Sequence, residues 1–192
     1  MAKDLFDVDC ESSIVRSILC ATPEIDLSQE QVDPYILDLD FNVVKFGLPG
    51  VEYAGEIRSK IEPIMAEAEA NGCPNNFYSA LYEAVLNAHE HGNLRNPDKK
   101  ITLAHRLDPA SLTCVVMDQG GVLVSEFVPF ILRHREGRHL VAMLDFYQFS
   151  KKPKANEGNL GKGTSFIHTY ADKVGYFKSE EGGLVVSLTK TW

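Results

Sequence analysis

One stretch, residues 81–93, constrains the fold of this chain more than any other; it reads LYEAVLNAHEHGN. Apolar residues recur at helical spacing in it and in the turn before it: Phe77, Leu81, Ala84 and Ala88. The pattern predicts a helix that ends at Gly92 and packs one apolar face against the core. Glu83 and Asn87 lie one turn apart on the flank of that face, where they could hold an oxygen-ligated cation and a water molecule.

The composition limits the classes of function. A length of 192 residues suits one domain with an extra segment, and 44% hydrophobic residues allow a sizeable core. A net charge of −8 repels phosphate backbones, so we expect no general binding of nucleic acid. A single nucleotide is not excluded, because it needs only a local cradle.

The N-terminal residues and the cysteines predict a location. The first residues lack the basic start and apolar core of a signal peptide, and no apolar stretch approaches membrane-spanning length. The four cysteines show no paired metal spacing: Cys10, Cys20, Cys73 and Cys114. Cys114 lies in an apolar run and is expected in the core. We therefore expect a reduced, cytoplasmic protein without a membrane segment.

The remaining periodicity predicts the order of elements. Strands are predicted at residues 36–41, 100–107, 112–117, 174–178 and 184–190. Further helices are predicted at residues 51–70, 140–149 and 164–172. The strand at 112–117 is apolar on both faces and should be central. Because strands are grouped with helices rather than strictly alternating, the fold class is α+β, a two-layer sandwich.

Two of these elements carry specific expectations about burial. The strand at 36–41 alternates cleanly and would turn Leu37, Leu39 and Phe41 inward. The helix at 140–149 would bury Leu140, Leu144 and Tyr147. Pro63 could kink the helix at 51–70, which Asn71 and Gly72 should end.

The chain before residue 35 is predicted to be an N-terminal extension, with the main domain at 35–192. Residues 1–34 are acidic and only weakly periodic, with short helices expected at 13–20 and from Leu27. The segment is given no chemistry. It is either an interaction arm or a cap on the domain.

Two glycine-containing loops are candidate ligand sites. Asp118 follows the predicted central strand and precedes Gly120, so it could present a carboxylate where the backbone approaches a ligand closely. Gly161-Lys162-Gly163 opens a helix with Thr164 in its first turn, which would make an anion site. Each loop also has a plainer interpretation, a turn in the first case and an ordinary helix entry in the second.

Two further patterns are weaker candidates. His89 and His91 are two residues apart and point away from each other on a helix, so a metal site is not expected; His91 would cap the helix end. Basic residues concentrate in the segment 122–160: Arg133, Arg135, Arg138, Lys151, Lys152 and Lys154. They form either a solvated face or a group that reaches a triphosphate or an acidic partner.

The order of the three motifs resembles that of the GHKL ATPase superfamily, whose Bergerat fold is a mixed, mostly antiparallel sheet covered by helices on one face. The motifs are Glu83-x-x-x-Asn87, Asp118-x-Gly120 and Gly161-x-Gly163 before a helix. Within the superfamily, the chain is most similar to bacterial anti-sigma-factor serine kinases. The resemblance covers roughly residues 36–190, with a long ATP-lid insert at about 122–160.

The resemblance implies roles for these residues. Asn87 would bind Mg²⁺ and Glu83 would be the general base. Asp118 would accept a hydrogen bond from the adenine amino group, beside Gly120. The residues that would surround the phosphates of ATP come from the last motif: Gly161, Lys162, Gly163 and Thr164.

The implied function is an ATP-Mg-dependent serine protein kinase. It would phosphorylate a small antagonist protein of the STAS type, bind a sigma factor, and form a homodimer. One departure favours an alternative: the family pattern Asp-x-Gly-x-Gly reads Asp118-Gln-Gly-Gly-Val122 here, so its second glycine is displaced. The alternative is a degenerate or nucleotide-gated switch module that binds proteins without kinase turnover.

Overall fold

The fold is built on a five-stranded antiparallel sheet. The structure, a computed structural model, describes residues 2–7, 23–142, 145–151 and 161–192. Its strands are β2 (Asn42–Gly47), β3 (Lys100–Asp108), β4 (Ser111–Met117), β6 (Lys173–Lys178) and β7 (Leu184–Thr191). Their order in the sheet is β2-β3-β4-β7-β6, and every neighbouring pair is antiparallel. Two short strands, β1 (Glu24–Asp26) and β5 (Val122–Val124), pair separately.

Helices cover one face of this sheet. They are α1 (Ala54–Ala70), α2 (Phe77–Asn87), α3 (Phe127–Arg135), α4 (Arg138–Val141), α5 (Phe146–Ser150) and α6 (Gly163–Tyr170). The largest buried cluster joins the apolar faces of α1 and α2 to inward residues of the sheet, among them Leu103, Cys114 and Leu188. The predicted α+β sandwich is therefore confirmed, as are the central position of β4 and the burial of Cys114.

The other face of the sheet carries a smaller cluster, formed by Ala104, Val115 and Val185. No helix of the described chain contributes to this cluster. The segment before β2 packs there instead, through the partly buried side chains of Tyr35, Leu37 and Phe41.

The predicted strand at residues 36–41 is wrong. A turn occupies Leu39 and Asp40, the Phe41 N–H bonds the Asp38 carbonyl, and the strand begins only at Asn42. Leu39 is fully exposed. The alternation of apolar residues arises because the segment crosses the outer face of the sheet, whereas β2 is an edge strand with little burial to produce a pattern.

The predicted helix at residues 140–149 is also wrong. The structure has α4 ending at Val141 and α5 beginning at Phe146, and Leu140 is 71% exposed. The expectation for Leu144 lies outside the described residues. The helix that packs into the core here is α3, in which Pro129 occupies the first turn, where proline is tolerated.

The helix boundaries otherwise follow the local signals. The helix α1 ends at Ala70 with Asn71 as its C-terminal cap and Gly72 in the left-handed conformation, as predicted. Pro63, considered as a possible kink, does not split the helix. The helix α2 continues to Gly92, but its last turn, Ala88–Gly92, is π-helical. In the described part of the chain, no helix is long and apolar enough to cross a bilayer.

The N-terminal residues that the structure describes contact the domain. Leu5, Phe6 and Ile25 are buried in the main cluster, and a 3-10 turn forms at Leu27–Gln29. The helix expected at residues 13–20 lies outside the described residues, and the division at residue 34 stays a prediction.

Candidate functional site

The three motifs meet in one cavity of about 400 Å³. Seven of the eight predicted site residues line it: Glu83, Asn87, Asp118, Gly120, Gly161, Gly163 and Thr164. The eighth, Lys162, is half-buried at the start of α6 but is not part of the lining. The tertiary structure thus brings together residues that are up to 81 positions apart in sequence, since Glu83 and Thr164 share one cavity wall.

Asp118 forms one end of the cavity and is 5% exposed. Its Oδ1 accepts hydrogen bonds from the N–H groups of Gly120 (2.8 Å) and Leu184 (3.1 Å). Burial raises the pKa of Asp118 to about 6, because these two bonds compensate only part of the lost hydration. The carboxylate would therefore gain from a ligand that donates a further hydrogen bond.

Three glycines let the backbone close around Asp118. A Cβ atom on Gly92 would overlap the Asp118 carboxylate, one on Gly120 would overlap the Gly92 carbonyl, and one on Gly183 would overlap the Asp118 carbonyl. The last turn of the α2 extension, the loop after β4 and the loop before β7 thus touch through backbone atoms. Glycine is therefore needed at these three positions, because any side chain would collide with Asp118 or with the Gly92 backbone.

Asn93, which the sequence did not suggest as a site residue, fixes this end of the cavity. It is 1% exposed; its Oδ1 accepts from the Gln119 N–H (2.8 Å) and its Nδ2 donates to the Lys100 carbonyl (3.0 Å). The Gln119 side chain in turn accepts from the Lys100 N–H (2.6 Å). These bonds tie the end of the helix to the loop that carries Asp118. Nothing in the sequence indicated that Asn93, a polar residue directly after the glycine that ends the helix, would be buried.

Glu83 and Asn87 form the opposite end, where the start of α6 packs against α2. A Cβ atom on Gly163 would overlap the Glu83 carboxylate and lie 3.6 Å from Asn87 Nδ2. A side chain at position 163 would therefore displace the Glu83 carboxylate. Burial, together with the charge of Glu90, raises the pKa of Glu83.

The first turn of α6 offers backbone N–H groups to the cavity. Lys162 caps the helix without a side-chain capping bond, and Gly163 and Thr164 of this turn line the cavity. The N-terminus of a helix favours an anion through these amides and the helix dipole. Gly161, with φ of 63°, adopts the left-handed conformation that admits the chain to this turn.

The side chains of the cavity wall are acidic and apolar. Among the described lining residues four are carboxylic acids, Glu24, Glu83, Glu90 and Asp118, and none is Lys or Arg. An anionic ligand would need a cation beside it. The basic residues of 122–160 that the structure describes do not supply one. Arg133 donates to the Ala142 carbonyl, Arg135 pairs with Asp4, Arg138 pairs with Glu136, and Lys151 is exposed and not part of the lining. Lys152 and Lys154 lie outside the described residues.

Glu90 takes part in a buried network that the sequence did not reveal. Its carboxylate accepts hydrogen bonds from the Tyr53 hydroxyl and from Arg95 Nη2 (2.6 Å), and its side chain is 9% exposed. Desolvation would raise the pKa of Glu90, but these two donors outweigh it and hold the pKa below its usual range. The network connects the start of α1 to the π-helical turn.

The two histidines of the π-helical turn have no described metal partners. His89 is buried against the Tyr53 ring, with ring centroids 4.4 Å apart. His91 lines the cavity, and desolvation there lowers its pKa. A neutral imidazole argues against the predicted role of His91 as a cationic cap. Within the described ranges, no group of His, Cys, Asp or Glu is arranged to hold a metal ion.

His134 docks α3 onto α6. Its Nδ1 lies 2.7 Å from the Phe130 carbonyl oxygen, so this nitrogen donates, and Nε2 accepts from the Ser165 hydroxyl at 3.0 Å. Ser165 is fully buried and lies outside the cavity lining. The hydrogen bond between Ser165 and His134 therefore joins the two helices, and Ser165 is not a candidate nucleophile.

The comparison with known proteins agrees with this arrangement. The model of the family described as "Histidine kinase-like ATPase domain" matches residues 51–190. No curated protein matches the sequence. The matched span contains every lining residue of the cavity except Glu24 and Leu27. The chain belongs to the histidine kinase-like ATPase family of the GHKL superfamily.

Proposed function

We propose that the protein is an ATP- and Mg²⁺-dependent serine protein kinase of the anti-sigma-factor type. Its substrate would be a small antagonist protein of the STAS type, and it would also bind a sigma factor and form a homodimer. The observation that carries the proposal is the meeting of Glu83, Asn87 and Gly163 at one end of a cavity whose other end is Asp118.

The Asp118 end suits an adenine base. The carboxylate can accept a hydrogen bond from an exocyclic amino group, and it already holds its orientation through two backbone N–H donors. Gly92 and Gly120 line the cavity beside the Asp118 carboxylate, together with the apolar residues Val116 and Leu184, which could contact a planar ring. A neutral donor would also relieve the cost of burying this carboxylate.

The Asn87 end suits a metal-bound triphosphate. The carboxamide oxygen of Asn87 is a ligand type that Mg²⁺ accepts, and Gly163 and Thr164, in the first turn of α6, line the same cavity. Bound Mg-ATP would supply the phosphoryl group and the positive charge that the acidic wall lacks. Since the described lining has no Lys or Arg, nucleotide binding should depend strongly on the metal.

Glu83 is the residue we assign as general base. Its raised pKa brings a carboxylate closer to the working range of a base, and its position next to Gly163 places it at the phosphate end. Glu83 also borders a second hollow of about 220 Å³ on the other side of the helix pair. That hollow is lined by Arg58, Tyr78, Ser79, Tyr82, Phe166 and Tyr170. A serine hydroxyl could therefore reach Glu83 without passing through the nucleotide cavity.

A second function, protein binding without turnover, has support of its own. The acidic lining weakens the attraction for a triphosphate. The glycine that follows Gly120 directly, Gly121, has a φ of 96°, so the loop after β4 turns earlier than the family pattern predicts. In this alternative the domain is a degenerate or nucleotide-gated switch.

Nucleotide titration and a transfer assay distinguish the two functions. We expect ATP to bind with Mg²⁺ and at least tenfold more weakly without it, and phosphate to pass from labelled Mg-ATP to a serine of a STAS-type protein. Glu83→Ala should abolish transfer and keep binding. Glu62→Ala, an exposed residue of α1, is the control. Binding without transfer to any candidate partner would favour the switch, and no binding at all would exclude both nucleotide-dependent functions.

A further inference from the structure

Two N-terminal segments outside the family-matched span touch the cavity and the helix that covers it. Residues 4–6 and 23–28 are together named the clasp here. The family match begins at residue 51, so the clasp lies outside the matched span.

Residues 23–28 form part of the cavity wall. The strand β1 pairs with β5 directly after the Asp118 loop, with Ile25 opposite Leu123. The Leu27 N–H then bonds the Gly121 carbonyl at 2.8 Å. Leu27 is 1% exposed and, with Glu24, lines the cavity. Residues 23–28 thus contact both the loop after β4 and β5, the first strand of the predicted lid insert.

Residues 4–6 hold α3 against the edge of the sheet. The Leu5 N–H donates to the Tyr176 carbonyl at 2.7 Å, which adds a chain to the edge strand β6. Asp4 Oδ2 accepts from the Tyr176 N–H at 3.0 Å and from Arg135 Nη2 at 2.7 Å. The Arg135 and Asp4 side chains are only 26% and 20% exposed, so this ion pair is partly shielded from solvent.

Phe6 packs between the same two elements. It is 1% exposed, and its ring centroid lies 6.2 Å from that of Phe127 and 5.1 Å from that of Tyr176. Both of those rings line the cavity. An outward movement of α3 would therefore separate Phe127 from Phe6 and Arg135 from Asp4 at the same time.

We propose that the clasp positions α3 over the cavity and thereby sets the rate at which a ligand enters and leaves. The identity of that ligand, Mg-ATP, rests on the proposed function. Because the clasp contacts α3 at both its ends, through Phe127 and Arg135, loosening one contact should speed opening without altering Asp118 or Asn87. Arg135 is a positioning residue in this scheme, since it does not line the cavity.

Arg135→Gln tests the proposal, because it removes the ion pair but leaves the bond from the Leu5 N–H to the Tyr176 carbonyl and the bond from the Tyr176 N–H to Asp4 Oδ2. We expect a fluorescent ATP analogue with Mg²⁺ to dissociate about fivefold to tenfold faster, the scale of one lost hydrogen bond in an ion pair that solvent partly screens. Amide hydrogen exchange in 127–135 should accelerate by a similar factor. Arg138→Gln removes an exposed pair at the next helix and should change neither rate.

A conservative variant separates positioning from general destabilisation. Arg135→Lys keeps the charge and should restore most of the slow dissociation. A merely structural effect would instead lower the melting temperatures of Arg135→Gln and Arg135→Lys alike. Equal dissociation and exchange rates in Arg135→Gln and Arg138→Gln would overturn the proposal. If the wild-type chain binds no nucleotide, the proposed function fails, and the exchange comparison alone then decides whether the clasp holds α3.

Discussion

The two ends of the cavity are built on different principles. At the Asp118 end, polar groups are tied to the backbone: the carboxylate to Gly120 and Leu184, and Asn93 to Gln119 and Lys100. At the Glu83 end, two side chains from one helix face the glycine that opens another. The first end is fixed by the fold, whereas the second places the Glu83 carboxylate beside a carboxamide, with no Lys or Arg in the described lining.

This difference indicates how the site would work. A rigid end with one buried acceptor can select a neutral, planar donor before any other part of the ligand is in place. The acidic end is incomplete until positive charge arrives with the ligand. Specificity would therefore reside at Asp118, and chemistry would depend on the metal that enters with the phosphates.

The largest expected effect is a loss of phosphoryl transfer at the Glu83 end of the cavity. Glu83→Gln should lower phosphoryl transfer by about 10²- to 10⁴-fold, the usual contribution of a general base, because the amide cannot take up the proton. Binding of Mg-ATP should be nearly unchanged, since the side chain keeps its size. A radiolabel transfer assay and calorimetry measure the two quantities. Glu62→Gln serves as the exposed control, and a parallel loss of binding would show that the two ends are not separable.

The next-largest expected effect is a loss of nucleotide affinity at the Asp118 end. Asp118→Asn keeps an oxygen for the N–H groups of Gly120 and Leu184 but places an NH₂ group towards the ligand. We expect nucleotide affinity to fall about 10- to 100-fold, the scale of one buried hydrogen bond to a charged group. Calorimetry with Mg-ATP measures it. Unchanged affinity would remove Asp118 from the binding site.

The same variant should be more stable than the wild type in neutral solution. The pKa of Asp118 is raised from 3.8 to about 6 by burial, so the native state favours the protonated acid. The stability that this group contributes is present below about pH 4 and is lost as the pH rises through about 6, a difference of about 3 kcal/mol. Urea unfolding should therefore show Asp118→Asn gaining about 2–3 kcal/mol over the wild type at pH 8 and little at pH 4. An equal gain at both pH values would contradict this cause.

A smaller effect tests the hydrogen bonds that make the first end rigid. Asn93→Ala leaves the Gln119 N–H and the Lys100 carbonyl without their side-chain partner and should cost about 1–3 kcal/mol of unfolding free energy. Denaturant unfolding measures the cost. Asn75→Ala, at an exposed turn, should stay within about 0.5 kcal/mol of the wild type. Similar values for the two variants would mean that the Asp118 end is held by packing alone.

The smallest stability effect is expected at Gly163. In Gly163→Ala the new methyl group meets the flexible end of the Glu83 side chain, which can move aside. Unfolding free energy should change by less than about 1 kcal/mol, while transfer falls about tenfold because the carboxylate is displaced. Gly55→Ala, where a Cβ atom meets nothing, should gain up to about 1 kcal/mol and leave transfer unchanged. Equal rates of phosphoryl transfer in the two variants would show that Gly163 does not help to position Glu83.

Much of the fold and of the site could be predicted, for identifiable reasons. The helix through Leu81, strand β4 and the closing strand pair carry strong periodicity because each buries a defined face. The segment at 36–41 misled because it alternates without pairing in the sheet. The helix α3 was missed because Pro129 usually interrupts a helical pattern, and only the position of this proline in the first turn makes it compatible with the helix.

By itself, the sequence determined which chemical groups the protein carries and in which order: an acid and an amide one turn apart, an acid before glycines, and a glycine-flanked helix start. These are local properties, set by side-chain chemistry and helical spacing. Only the tertiary structure decided that Asn93 and Gly183 surround Asp118, that Glu90 is held by Tyr53 and Arg95, and that residues 4–6 rest against α3. Such contacts join residues far apart in the chain, so they depend on the packing of the whole core and leave no periodic trace in the sequence.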